Sequence, residues 1–221
     1  RRGIFCRGCA RDDDSEGRWA VILFLDFDGV LHSADVYIRD VHPRGALYLS
    51  EEDRRWITDD GKQMVRCPDS LFVAAERLAL TLDTVRVDVD IRIVISSSWR
   101  MLFSLRRMVE LLPARIVHRV VGMTPVLDAS NPNGMRRLEC ETWLNMRGMA
   151  CCPWLALDDM PELFFAGRYA PVPPNLVWCK DMFGEIEAAE FLQKINAIQA
   201  AGDDWQAALA AVHERLSRDK S

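Results

Sequence analysis

The feature that most constrains the fold is an unbroken apolar run, Ala20 to Leu25, that stops abruptly in Asp26-Phe27-Asp28-Gly29. The run is too short for a helix with one greasy face, and it lacks the polar alternation of a half-exposed strand. It fits a strand buried on both faces, which is the condition of strands in a parallel sheet covered by helices. Comparable runs follow: IRIVISS, RIVHRVVG, PWLALDD and NLVWCK. Between and after them lie amphipathic stretches predicted as helices from about Ser70 to Leu82, Trp99 to Leu112, Met135 to Met146 and Phe183 to Ile198. Such alternation predicts an α/β fold, Rossmann-like, with a central parallel sheet and helices on both faces.

With 221 residues, 49% of them hydrophobic and 28% charged, the chain can bury a core of its own and is not a disordered or disulfide-dependent peptide. Residues 1–18 are polar and lack periodicity, so they read as a flexible leader. The globular domain is expected over residues 19–200, with residues 32–68 as a flap or small insertion, rich in charge and carrying Pro43, Gly45 and Gly61. Asp203 and Asp204 precede an Ala- and Leu-faced stretch, predicting a C-terminal helix within residues 201–221 that packs on the domain or on a protein partner. No apolar stretch approaches the ~20 residues needed to cross a hydrocarbon core, and no signal peptide is evident, so a cytoplasmic protein without a membrane partner is expected. Seven cysteines fit reduced thiols, and the Cys6/Cys9 pair is only half of a structural zinc site. A net charge of -5 argues against coating nucleic acid by bulk electrostatics.

Ligands of open α/β sheets gather at the carboxyl ends of the strands. The polar residues that end the apolar runs are therefore the candidates: Asp26 and Asp28, then Ser96-Ser97-Ser98-Trp99-Arg100, then Asp158 and Asp159, with Arg136 and Arg137 opening the helix before the last run. Hard carboxylate oxygens suit magnesium, while a hydroxyl and a guanidinium suit phosphate oxygens, a combination that points to phosphoryl transfer. One carboxylate of the Asp26/Asp28 pair can act as nucleophile and the other as general acid, then base. Ser97 and Ser98 also read as caps of the following helix. Trp99 and Trp143 read as packing residues rather than base-stacking platforms, His32 as a polar loop histidine, and Arg100 as either a surface ion-pair residue or a second substrate contact.

LDFDGVLH resembles the DxDGxL signature of the haloacid dehalogenase (HAD) superfamily, and ISSSWR, the arginine before LECETWL, and LALDD follow in the order of its remaining motifs. More narrowly, DFDGVLH, SSSWR, VGMTP, RxxExxxWL and LDD resemble the HAD domain of Swiss Army knife RNA-repair proteins, over about Ala20 to Lys194. The resemblance implies a Mg2+-dependent phosphomonoester hydrolase in which Asp26 forms an aspartyl-phosphate and Asp28 serves as acid and base. It implies Mg2+ on the Asp26 carboxylate, the Asp28 carbonyl, and Asp158 or Asp159. Ser96 or Ser97 would bind a phosphoryl oxygen, and Arg136 or Arg137 would balance charge.

By the same analogy the short gap after the first motif leaves no room for a large cap domain, which favours a bulky phosphorylated substrate such as a nucleic-acid end. From Trp99 to Arg147 eight arginines face four acidic residues, a local excess that could line a phosphodiester path or simply solvate helix faces. The acidic cluster of Glu51, Glu52, Asp53, Asp59 and Asp60 argues the other way. The rival readings are a phosphatase of small nucleotides or metabolites, and a catalytically idle HAD scaffold that binds a partner through its C-terminal helix.

Overall fold

The computed structural model describes residues 19–33, 37–38, 64–65, 71–127, 133–165 and 171–219. The leader expected at 1–18, with Cys6 and Cys9, and most of the expected insertion at 32–68 lie outside them. Strand β1 (Trp19–Leu25) is the apolar run that ends in the Asp pair, and Val21 to Leu25 are fully buried. From the insertion only β2 (Tyr37–Ile38) and β3 (Met64–Val65) are described, and they pair antiparallel.

Helix α1 (Ala75–Thr84) buries Ala75, Leu78, Ala79 and Leu82, a three- and four-residue spacing that turns one face inward. Strand β4 (Val89–Ile95) follows. The stretch predicted as one helix from Trp99 to Leu112 is broken. A 3-10 turn at Ser98–Met101 comes first, and α2 (Leu105–Leu111) starts anew where the Ser104 hydroxyl accepts the Arg107 N–H at 3.3 Å. Competition from such a side-chain cap is enough to restart a helix. The run RIVHRVVG is likewise shorter as a strand than its composition suggests. Pro113, with φ fixed near helical values, initiates α3 (Ala114–Val117), and only β5 (Val120–Met123) is extended.

Helix α4 (Met135–Met146) spans the residues expected of it, and β6 (Trp154–Asp158) is buried throughout. Strand β7 (Leu176–Trp178), α5 (Glu185–Ala201) and α6 (Trp205–Asp219) complete the chain, with Asp203 and Asp204 in the 3-10 turn that leads into α6. The strands form one parallel sheet in the order β5-β4-β1-β6-β7. Progress through the sheet runs outward from β1 to β5 and then reverses to β6 and β7. Right-handed crossovers therefore place the connections before and after the reversal on opposite faces. On the α4 face, the Phe24 ring meets Trp143 and Trp154 edge to face, with centroids 6.0 and 5.5 Å apart.

Helix α6 packs on α5, inserting Trp205 and Leu209 into the main core, so its apolar face is used within the chain. No helix among the described residues is long and apolar enough to cross a membrane. The cysteines depart from the expectation of reduced thiols: Cys151 and Cys152 each take part in a disulfide, whereas Cys140 and Cys179 are free and buried.

Candidate active site

Strand register builds the site. Leu25 lies opposite Ile95 on one side and Leu157 on the other, Ile95 lies opposite Met123, and Asp158 lies opposite Trp178. One residue further on, Thr124, Ser96, Asp26, Asp158 and Trp178 form a row across the carboxyl edge, their side chains on one face because residues in register share the pleat. Backbone bonds hold the row: Asp26 N–H to the Leu157 carbonyl at 3.1 Å, Ser96 N–H to Leu25 at 2.8 Å, Cys179 N–H to Asp158 at 3.0 Å. Because the chain leaves β1 and β6 toward opposite faces, a crevice opens between them, the place where such sheets bind ligands. Asp26 and Asp158 stand on its two walls.

The Arg136 guanidinium, carried by α4 and buried, bridges them. Its Nη1 is 3.2 Å from Asp26 Oδ2 and 3.2 Å from Asp158 Oδ2. Asp26 also accepts the Phe27 N–H at 2.7 Å, and Asp158 accepts that of Met160 at 2.9 Å. Oxygens of Asp26, Asp158 and Asp159 lie within 4.8 Å of one another. Burial, and then the neighbouring Asp26 carboxylate, push Asp158 well above the usual carboxylate range, and the same two causes raise Asp159 to about 6. Burial works against the Arg136 charge, but Asp26 and Asp158 outweigh it and hold the guanidinium more firmly protonated than a free arginine. Gly29, at φ +69°, makes this crowding sterically feasible. A Cβ there would sit 2.2 Å from Asp159 Oδ2, so both the left-handed turn and the approach of Asp159 require glycine.

Asp28 occupies a different environment. It is half-buried, and both its oxygens accept the Trp99 indole N–H at 3.2 Å. Its Oδ1 lies 3.0 Å from His32 Nε2, and its Oδ2 accepts the Ser98 hydroxyl at 3.5 Å. His32 is fully buried against Phe72 and Trp99, so it is not the polar loop residue expected from sequence. The two serines diverge. Ser96 Oγ lies 3.8 Å from the Cys140 thiol of α4, and Ser97 Oγ accepts the Trp99 N–H at 3.4 Å, capping the 3-10 turn. Burial pushes the Cys140 thiol up, so it stays protonated.

Comparison with known proteins bears on this geometry. The sequence model of the HAD domain in Swiss Army Knife RNA repair proteins matches residues 22–184, more than half of the chain. The chain belongs to that family. As a HAD domain it is a HAD-type hydrolase by class. No curated protein and no solved structure matches it.

Other candidate residues of the HAD domain fall outside the crevice. Arg137 is exposed and pairs with Glu141 at 2.7 Å, one helical turn away. Arg100 is drawn inward, where it donates to the Ser97 carbonyl at 2.6 Å and pairs with buried Glu139, which also accepts the Leu127 N–H at 3.2 Å. The arginine excess between Trp99 and Arg147 is consumed locally. Arg106 and Arg107 pair with Glu110, Arg115 with Glu76 and Asp83, Arg119 with Asp83, and Arg147 stacks on Trp143. Most of these arginines thus lie in ion pairs on helix faces. Sequence reading noted His32 after the first motif, as a polar loop residue or a substrate contact, but not its burial, and gave Trp178 no role. The only signal was position, His32 closing the first motif and Trp178 ending a strand, and neither residue type announces a site by itself.

Proposed function

We propose that the chain is a magnesium-dependent phosphomonoesterase that works through an aspartyl-phosphate on Asp26 and acts on nucleic-acid ends. The observation that carries the reading is the convergence of Asp26, Asp158 and Asp159 on one crevice beside Arg136, with Asp28 held apart by Trp99, His32 and Ser98. The residues fit a divalent cation. Three hard-oxygen donors crowd together, two of them raised above the usual carboxylate range by burial and mutual repulsion, and Gly29 leaves a Cβ's space to Asp159. Asp26, Asp158 and Asp159, with the Asp28 carbonyl, would hold Mg2+, which supplies charge neutralisation for the phosphoryl oxygens.

The chain's own residues divide the remaining work. An Asp26 oxygen bonds to phosphorus as the bond to the leaving oxygen breaks, and protonated Asp28 gives that oxygen its proton. Asp28, now a carboxylate, takes a proton from the water that attacks phosphorus, which frees phosphate and restores Asp26. Arg136 aims Asp26 and balances its charge. Ser96, beside Asp26 in the row, would bond a phosphoryl oxygen. The nucleic-acid setting is supported by the family's description.

The test is phosphate release with Mg2+ from an aryl phosphate, mononucleotides, and oligonucleotides bearing 3′- or 5′-phosphates. Asp26→Asn should abolish all turnover while leaving the melting curve cooperative. Preference for an oligonucleotide end supports the reading, near-normal turnover by Asp26→Asn overturns the nucleophile, and preference for a small phosphate moves the substrate to metabolites.

A further inference from the structure

Trp178 stands apart from the other tryptophans whose surroundings are described. Trp99, Trp143, Trp154 and Trp205 are buried, whereas Trp178 is 38% exposed. A singly exposed apolar side chain is ordinary, and Val87 and Met146 are more exposed, so exposure alone assigns Trp178 nothing. What singles it out is its position. Trp178 ends β7 in register with Asp158 and shares the row of Ser96 and Asp26. Two strand spacings of about 4.8 Å put its backbone roughly 10 Å from that of Asp26.

The ring is also fixed. Its Nε1–H donates to the Asp159 carbonyl at 3.0 Å, which anchors the polar edge of the indole to the acidic turn and leaves part of its surface to solvent. Lys180 Nζ lies over one face of the ring, 4.8 Å from its centroid, so the cation covers that face and a base would stack on the opposite one. A fixed, exposed indole with a cation next to it, at the mouth of a site built for a phosphate, is the pairing used to stack bases of single-stranded nucleic acids.

We propose that Trp178, with Lys180, is a stacking platform for the nucleobase attached to the scissile phosphate. The inference rests on the phosphatase reading above and deepens it by naming the part of the substrate that is recognised beyond the phosphate. The same base chemistry can arrive on a nucleoside monophosphate or on a polynucleotide end.

The experiment measures kcat/KM for matched phosphate-ended oligonucleotides whose terminal residue carries a base or is abasic, and for a nucleoside monophosphate against the matching ribose phosphate. It uses the wild-type chain, Trp178→Ala and Trp178→Phe. The wild type should favour the based end by about tenfold or more, the range expected for one stacked base. Trp178→Ala should bring that ratio close to one, and Trp178→Phe, which lacks the N–H but keeps a ring, should retain most of it. Because the readout is a ratio, a general disturbance of the Asp159 turn cancels. A ratio unchanged in Trp178→Ala overturns the platform, and so does a wild type that turns over only aryl phosphate. A base effect present with the oligonucleotide and absent with the mononucleotide assigns the platform to polynucleotide ends, and the reverse assigns it to free nucleotides. If no substrate is turned over, the phosphatase reading falls. The platform is then judged by equilibrium binding of the same oligonucleotides, which Trp178→Ala must weaken for the based end alone.

Discussion

At the residue scale, the two aspartates of the first motif differ only in what surrounds them. Asp26 lies buried beside a guanidinium and two other carboxylates. Asp28 turns away to hydrogen-bond donors, with Trp99 Nε1 shared between its two oxygens. A nucleophile must stay ionised and aimed, whereas an acid-base group must be held where the leaving oxygen departs. Trp99→Phe keeps an aromatic ring against Phe27 and Phe103 but deletes the donor. A hydrogen bond to a charged group is worth about 1.5–3 kcal/mol. The variant should therefore lose roughly ten- to hundredfold in kcat/KM with a sugar-oxygen leaving group, which needs the proton. With p-nitrophenyl phosphate, whose leaving group needs little help, the loss should be far smaller. Equal losses on both substrates would mean that Trp99 acts on the fold and not on Asp28.

Elements, by contrast, were legible wherever apolar runs or helical periodicity stood alone. β1, β6 and α4 lie where the sequence puts them because their side chains have one arrangement that buries them. The reading failed where a local side-chain bond or proline competed with the pattern, as at Ser104 and Pro113, since periodicity does not register a cap. It also did not register the surroundings of Trp178 and His32, which depend on strand register and on packing between segments far apart in sequence. Asp26, Asp158 and Arg136 were visible because strand ends and a helix start mark themselves locally. Trp178 becomes part of the site only when β7 docks beside β6. The Ser104 restart can be checked directly. Ser104→Ala should destabilise the chain by about 1 kcal/mol, the usual worth of an N-cap, read as a lower urea midpoint with unchanged slope. No change would show that α2 is held by packing alone.

For the molecule as a whole, folding gathers carboxylates from both ends of the domain into one crevice against the buried Arg136 guanidinium. Asp159, raised to about 6 by burial and then by Asp26, binds a proton more tightly in the folded chain than in the unfolded one, where an aspartate titrates near 3.9. Between those values the native state holds more protons, so stability falls as pH rises. The penalty is absent below about pH 4 and fully present above about pH 6. Asp158 shifts in the same direction. Other carboxylates, such as Asp83 and Glu110, are held low by arginines and act oppositely, so the measurement must be a difference. Without divalent cation, Asp159→Asn should be more stable than the wild type at pH 7, and the two should converge at pH 4. Mg2+ should close most of that gap at pH 7 by stabilising the wild type more than the variant. A cation at a hundred times its dissociation constant stabilises the native state by about 2.7 kcal/mol, and removing a donor forfeits much of that. Thermal melts of both proteins at pH 4 and 7, with and without Mg2+, read each step without reference to turnover. If Mg2+ left the wild-type melting temperature unchanged at pH 7, the acidic crevice would not be a cation site, and the phosphatase reading would lose its physical basis.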